Sequence, residues 1–492
     1  MTNLPLTSQV WSSGYKLSVP FDVVLPNGQV ATCEDVVRAL PGRRYVCRGS
    51  LNNKAVFIKL FSMSHKASKE WHAEQAGIIA LEKAGIAAPG IIDAGVVDDI
   101  GQVVVYAALA GAESALQRWD EGDEASRLEV LIDLVELLAE HHAKGLRQSD
   151  LHLLNFVYSE NILYTLDASD IHASAKPLSR SASMDGLADL LALLPIEYDE
   201  LIGDLYSNYW SVRGEQGNDT ERTGLVQRTS HKRRYKLRKY LAKIFRSCTA
   251  FVMNKSWSSF TVYDRDFESD ELKALVAAPD HVDVTRDVTM VKDGNTCTVT
   301  SFRLASTSLV CKRYNIKNSW HALSRAFRPS RAACSWKNSH HLLRCGIATA
   351  RPVAMCEQRF GPLRGKAWLY IEKIDGENLY YYHHHPEKLA GDTFRRIVQA
   401  FMVLFEKMVR ERISHGDMKL GNFIFHAETL YVIDLDSMQG HDRESTFAAA
   451  FSRDMRRFFK NWQNYPATSA LFIEALSQTI VAPYLPVDTN RE

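Results

Sequence analysis

The segment HGDMKLGNFIFHAETLYVID carries Asp417, Asn422 and Asp434 in an order that suits one kind of chemistry. A carboxylate on a short polar turn can take a proton from an attacking hydroxyl. An asparagine later in the turn, and a second aspartate beyond it, can hold a divalent cation. A strand lysine neutralises phosphate charge, and Lys312 in the β-prone run SLVCKRY has that character. These are the parts of a phosphoryl-transfer site: Asp417 as base, Asn422 and Asp434 on Mg2+, and Lys312 against nucleotide phosphates. Singly they say little, because D-x-x-x-x-N pairs are common and an isolated lysine is usually a solvated surface residue.

The set occurs twice. QSDLHLLNFVYSENILYTLD repeats the aspartate, asparagine and later aspartate as Asp150, Asn155 and Asp167, at one constant offset along the chain. AVFIKLF supplies Lys59, and Glu74 in the following helical text is the carboxylate expected to hold it. Recurrence of order, spacing and flanking pattern is the signature of an internal repeat.

The elements that must position these residues also recur. FVYSENILYTLD and FIFHAETLYVID each read as a hairpin around a polar turn. WHAEQAGIIALEKAGIAAP (71–89) and WKNSHHLLRCGIATARP (336–352) read as helices stopped by a Gly-Ile turn and a proline. The runs VVVYAAL (103–109) and AWLYIEKI (367–374) follow as strands, and IVQAFMVLFEKMVRERI is helical and apolar-periodic ahead of the second polar turn. The pattern predicts an α+β chain of two tandem bilobal protein-kinase-like domains, residues 1–265 and 275–492. The break is expected in the 250–290 region, where HVDVTRDVTMVKDGNTCTVTSF opens a fresh strand pattern.

The halves are not identical. His415 precedes the second turn where Gln148 precedes the first, and His152 stands where the second copy has Lys419. The position matching Glu74 falls near Ser335, leaving Lys312 without the usual helix carboxylate. Neither half carries G-x-G-x-x-G; PGRRYVCRG (41–49) and KDGNTCTV (292–299) are the nearest phosphate-covering loops.

A chain of 492 residues, 46% apolar and 24% charged, has room for two or three ordinary globular cores. A net charge of +1 argues against a protein built for nucleic acid. The eight cysteines show no CxxC spacing and read as reduced thiols of a cytoplasmic protein. MTNLPLTSQVWSSGYKL has neither a basic n-region nor an apolar h-region, so no secretory leader is expected. The histidine clusters at 141–142 and 383–385 lack a Cys/His partner pattern for metal.

LPGRRYVCRG with AVFIKLF, EQAGIIALEKAGIAAP, KDGNTCTV with LVCKRYN, SWKNSHHLLRCGIATARP, HGDMKLGNF, LYVIDLDSM and FSRDMRRFFKNW span most of residues 40–465. Together they resemble the bacterial lipopolysaccharide-core heptose and Kdo kinase family, of protein-kinase-like fold, in a tandem form. The resemblance implies an enzyme using ATP and Mg2+ to phosphorylate a sugar of the lipopolysaccharide core or lipid A precursor at the cytoplasmic face of the inner membrane. It implies Asp417 as base, Asn422 and Asp434 on metal and Lys312 on phosphates, with Asp150, Asn155, Asp167, Lys59 and Glu74 in the same roles in the first half.

HKRRYKLRKYLAKIFRSCTAF (231–251) is a basic helical segment with Leu237, Leu241, Ile244 and Phe245 at helical spacing. It reads either as a face that docks peripherally on anionic lipid or as a solvated helix covering the first domain. Arg456, Arg457 and Lys460 read as a surface helix, with a place near substrate phosphates as the alternative. Two other functions fit the same residues: a protein Ser/Thr or Tyr kinase, and a non-catalytic scaffold of two pseudokinase halves. No A-P-E segment follows Asp434, which weighs against the first.

Overall fold

Alternating β-branched and aromatic runs build the sheet that opens each half. The computed structural model describes residues 10–98, 100–280, 288–294, 297–315, 328–385 and 392–486. By contacts the chain divides into two units, residues 1–194 with 198–234, and residues 195–197 with 235–492.

In the first unit an antiparallel sheet runs in the order Phe21–Val24, Val30–Leu40, Arg44–Leu51, Lys54–Phe61, Gly101–Ala107, Ile91–Val97. One face packs Tyr45, Cys47, Ile58, Leu60, Val103 and Val105 into a core. Phe61, Val104 and Tyr106 on the other face pack with Ile78 and Leu81 of helix His65–Lys83. A second core forms around helix Glu124–Ala143, whose Val130, Leu131, Leu134, Val135 and Leu138 are buried at helical spacing.

In the second unit the order Thr289–Lys292, Cys297–Leu304, Thr307–Tyr314, Leu363–Glu372, Pro352–Phe360 repeats five of those six strands, with no counterpart of Phe21–Val24 among the described residues. The hairpin Phe251–Lys255 and Ser259–Asp264 is added at the edge beside Pro352–Phe360. Helix Arg331–Arg344 lies in the same place in the order as His65–Lys83. Below, helix Asp392–Glu411 buries Ile397, Phe401, Leu404, Phe405 and Met408 against Phe451, Met455 and Phe458 of helix Glu444–Lys460.

Several sequence expectations shift. The division by contacts falls at 234/235, not between 265 and 275, because Ser259–Asp264 pairs with Pro352–Phe360 and carries Phe251–Lys255 with it. The basic helix spans Asp219–Lys243, and Phe251 already starts a strand. Both sheet-packing helices start upstream of their tryptophans, capped by the Ser64 and Ser330 side chains. They stop as expected, with Gly85 and Gly346 at φ 69° and 65°. Residues 281–287 of the fresh strand pattern, and Asn295 and Thr296 of KDGNTCTV, lie outside the described residues.

Among the described residues no helix is long and apolar enough to cross a membrane.

Candidate active site

Each polar turn is held between a short strand and a hairpin. In the second unit Ile413–Ser414 leads into the turn and Phe423–His426 pairs with Thr429–Val432 beyond it. The Asn422 carbonyl accepts the Ile433 N–H at 2.9 Å, which brings Asp434 back beside the turn. In the first unit Asn155 O accepts the Leu166 N–H at 2.8 Å and does the same for Asp167. Asp167 and Asp434 both adopt left-handed backbone, φ 55° and 63°, as rarely found for residues other than glycine. Such strain tends to mark sites where side-chain direction matters.

The second-unit residues converge. Lys312 Nζ lies 3.5 Å from Asp434 Oδ1. Asn422 Nδ2 donates to the Asp417 carbonyl at 2.8 Å and approaches its carboxylate at 3.3 Å. Lys419 Nζ donates to Asp417 Oδ2 at 2.6 Å, and Arg457 Nε stands 3.8 Å from Oδ1. Burial alone would raise the Asp434 carboxyl, but Lys312, Lys419 and Arg331 outweigh it and hold it below the usual range. Among the described residues Asp434 Oδ2 and Asn422 Oδ1 take no hydrogen bond. Two open oxygens, one from a carboxylate and one from an amide, fit Mg2+, which takes few protein ligands and completes its shell with other oxygens and water.

Helix Arg331–Arg344 has Ser335 where the first unit has Glu74, and among the described residues Lys312 has no helix carboxylate. Ser335 instead hydrogen-bonds the Tyr314 hydroxyl at 3.1 Å. The helix grips the turn after Asp434 in other ways. Asn338 Nδ2 donates to the carbonyls of Leu435 and Met438 at 2.7 and 3.0 Å, and Arg331 pairs with Asp436.

In the first unit Lys59 Nζ meets Glu74 Oε1 at 2.5 Å and Asp167 Oδ1 at 3.2 Å. Glu74, 1% exposed, also accepts from the Tyr106 hydroxyl at 2.7 Å and the Ser169 N–H at 3.2 Å. Gly77, one turn along, lets the helix lie on the turn after Asp167: a Cβ there would sit 1.9 Å from the Ala168 carbonyl oxygen. Asn155 Nδ2 donates to the Asp150 carbonyl at 2.9 Å, matching the second unit. Removing Glu74 leaves Lys59 with Asp167 alone and takes the buried acceptor from the Tyr106 hydroxyl and the Ser169 N–H. Glu74→Ala is therefore expected to destabilise the first unit by about 3 kcal/mol, lowering its melting temperature by about 6–12 °C. Adding Lys59→Met is expected to recover much of that loss in differential scanning calorimetry, whereas independent sites would add.

Asp454, 3% exposed, has no assigned part in the sequence reading yet anchors the second turn. Its carboxylate accepts the His415 N–H at 2.6 Å and the Gly416 N–H at 3.0 Å. His415 in turn donates Nε2–H to the Ile433 carbonyl at 3.0 Å and accepts the Asp417 N–H at Nδ1 at 3.2 Å. Gln148 occupies the His415 position in the first unit, buried, with neither amide atom hydrogen-bonded among the described residues. A lone aspartate among Phe451, Met455 and Phe458 was the available signal for Asp454.

Burial raises the Asp454 carboxyl to about 6, against the two N–H bonds that favour its ionised form. The folded value exceeds the unfolded one, so this group's contribution to stability falls as pH rises from about 4 to about 6 and is level above. Asp454→Asn is expected to flatten that part of the stability–pH profile in urea unfolding; an unchanged slope would contradict the assignment.

The basic segment is committed in part to the first unit. Lys232 pairs with Asp189 at 2.8 Å and Arg233 with Asp199 at 2.7 Å, while Arg238, Lys239 and Lys243 are exposed. His141 and His142 are buried and bonded to the Thr165 and Tyr209 hydroxyls, and the side chain of His383 lies outside the described residues.

Residues 284–475, within the second unit, match the model of the lipopolysaccharide kinase (Kdo/WaaP) family. Over that segment the match bears out the family resemblance read from the sequence; residues 1–283 lie outside it. No curated protein matches the chain. Among solved structures, WaaP in complex with acyl carrier protein aligns at 16% identity over 41% of this chain and 88% of that one, with a TM-score of 0.32. Vaccinia related kinase 3 aligns at 12% identity over 46% and 93%, with a TM-score of 0.31. WbdD aligns at 16% identity over 41% and 51%, with a TM-score of 0.30.

Proposed function

We propose that this chain, whose second unit matches the lipopolysaccharide kinase family, is an ATP- and Mg2+-dependent kinase for a heptose or Kdo sugar of the lipopolysaccharide inner core. The reading takes it as two kinase-like domains in tandem, with transfer in the second. It rests on one coincidence: the unit that matches the family is the one whose Asp434 keeps an open carboxylate oxygen beside Asn422, Asp417 and Lys312.

Bound Mg2+-ATP would supply the phosphoryl group and neutralise its oxygens. Asn422 and Asp434 would hold the cation, and Lys312 would meet the phosphates. Asp417 accepts the proton of the sugar hydroxyl. Its position is fixed from below by Asn422, and through the His415 backbone by Asp454. Lys419 and Arg457 beside Asp417 suit an anionic acceptor. The same reading places the protein in the cytoplasm, in peripheral contact with the inner membrane through the exposed Arg238, Lys239 and Lys243.

The test is transfer from γ-labelled ATP by the purified protein to isolated core oligosaccharide. Label in the sugar supports the proposal. Label entering only protein acceptors would favour a protein kinase, and nucleotide binding without any transfer would favour a scaffold.

A further inference from the structure

The two units treat their matching aspartates oppositely. Among the described residues Asp434 pairs with Lys312 alone, and its side chain is 33% exposed. Asp167 is 12% exposed and ringed by three cations. Lys59 and Arg44 lie 3.2 and 3.4 Å from Oδ1, and Arg38 lies 3.6 Å from Oδ2. Both oxygens that would hold a metal are thus already engaged. Lys59, Arg44 and Arg38 stand where a metal on Asp167 would, and each repels a divalent ion there.

The arginines are also under-employed. Arg44 is 6% exposed, its Nε is buried without a hydrogen-bond partner, and its contact to Asp167 is long. Arg38 and Arg44 flank the turn that joins Val30–Leu40 to Arg44–Leu51, on the strand pair beside Lys59. Arg43 in the same turn has its pKa lowered by burial and by its neighbours Arg44 and Arg38. A guanidinium with a free donor, buried beside a second guanidinium and an ammonium, is built for an anion with several oxygens.

We propose that the first unit binds a phosphate chain through Arg38, Arg44 and Lys59 without a divalent cation, and does not itself transfer phosphate. The inference stands apart from the function proposed for the second unit, and either can fail alone.

The experiment is calorimetric titration of the full chain carrying Lys312→Met, which weakens the second site, with ADP and with pyrophosphate, each in excess EDTA. Saturable binding is expected without metal, at least tenfold weaker in Arg38→Gln and in Arg44→Gln. Arg38 is half exposed, so its variant separates lost binding from lost folding. Binding of both probes marks the phosphate chain as the ligand, binding of ADP alone adds recognition of the nucleoside, and either upholds the proposal. Binding that appears only with Mg2+, or that is unchanged in Arg38→Gln, overturns it.

Discussion

Asp417→Asn is expected to lower phosphate transfer to core oligosaccharide by about 10²–10⁴-fold while leaving nucleotide affinity within about twofold. The asparagine keeps the shape of the side chain and loses its ability to take a proton. The surroundings make the change specific to chemistry. Asn422 holds Asp417 through the backbone carbonyl as well as the carboxylate, so the turn keeps its main tether. Lys419 and Arg457 lose a charged partner at a half-exposed position, where ion pairs contribute little to stability. Folding should survive, and the loss should fall on kcat rather than on nucleotide KM. Asp150→Asn in the first unit is expected to leave transfer unchanged.

Asp434→Ala is expected to reduce transfer by more than the roughly 10–100-fold typical of residues one shell from a metal. It should also weaken Mg2+-dependent nucleotide binding, which Asp417→Asn should not. The alanine removes the open oxygen and leaves Lys312 without its ion pair among the described residues. Titrating Mg2+ against transfer rate separates the effects: Asp434→Ala should raise the Mg2+ concentration needed for half-maximal rate, and Asp417→Asn should only lower the plateau. Asp167→Ala should not move the Mg2+ requirement, because that side chain is enclosed by Lys59, Arg44 and Arg38. A raised requirement in Asp167→Ala would place a working metal in the first unit.

The repeated order of elements was legible because it rests on local signals: strand alternation, polar hairpin turns, and Gly85 and Gly346 as helix stops. The pairing of Lys59 with Glu74 was legible for a related reason, since a strand lysine and the next helix are close in sequence. What the sequence hid is non-local. The domain break was misplaced because strands at 251–264 are completed by a partner near residue 355, which no local pattern announces. Helix starts were missed because the polar openings HKASKE and RAACS carry no apolar periodicity ahead of Trp71 and Trp336. The cage on Asp167 was invisible for the same reason, as Arg38 and Arg44 lie far from it in the chain. In the second unit the absence of a helix carboxylate was readable at Ser335, but its replacement by Asn338 and the Arg331–Asp436 pair was not.

The central claim is that the second unit phosphorylates the lipopolysaccharide core through Asp417. Its most direct measurement is mass spectrometry of core oligosaccharide from cells lacking the protein and complemented with wild type, Asp417→Asn or Asp150→Asn. One phosphate should be missing without the protein, restored by wild type and by Asp150→Asn, and still missing with Asp417→Asn. A core unchanged by loss of the protein, or fully restored by Asp417→Asn, would contradict the account.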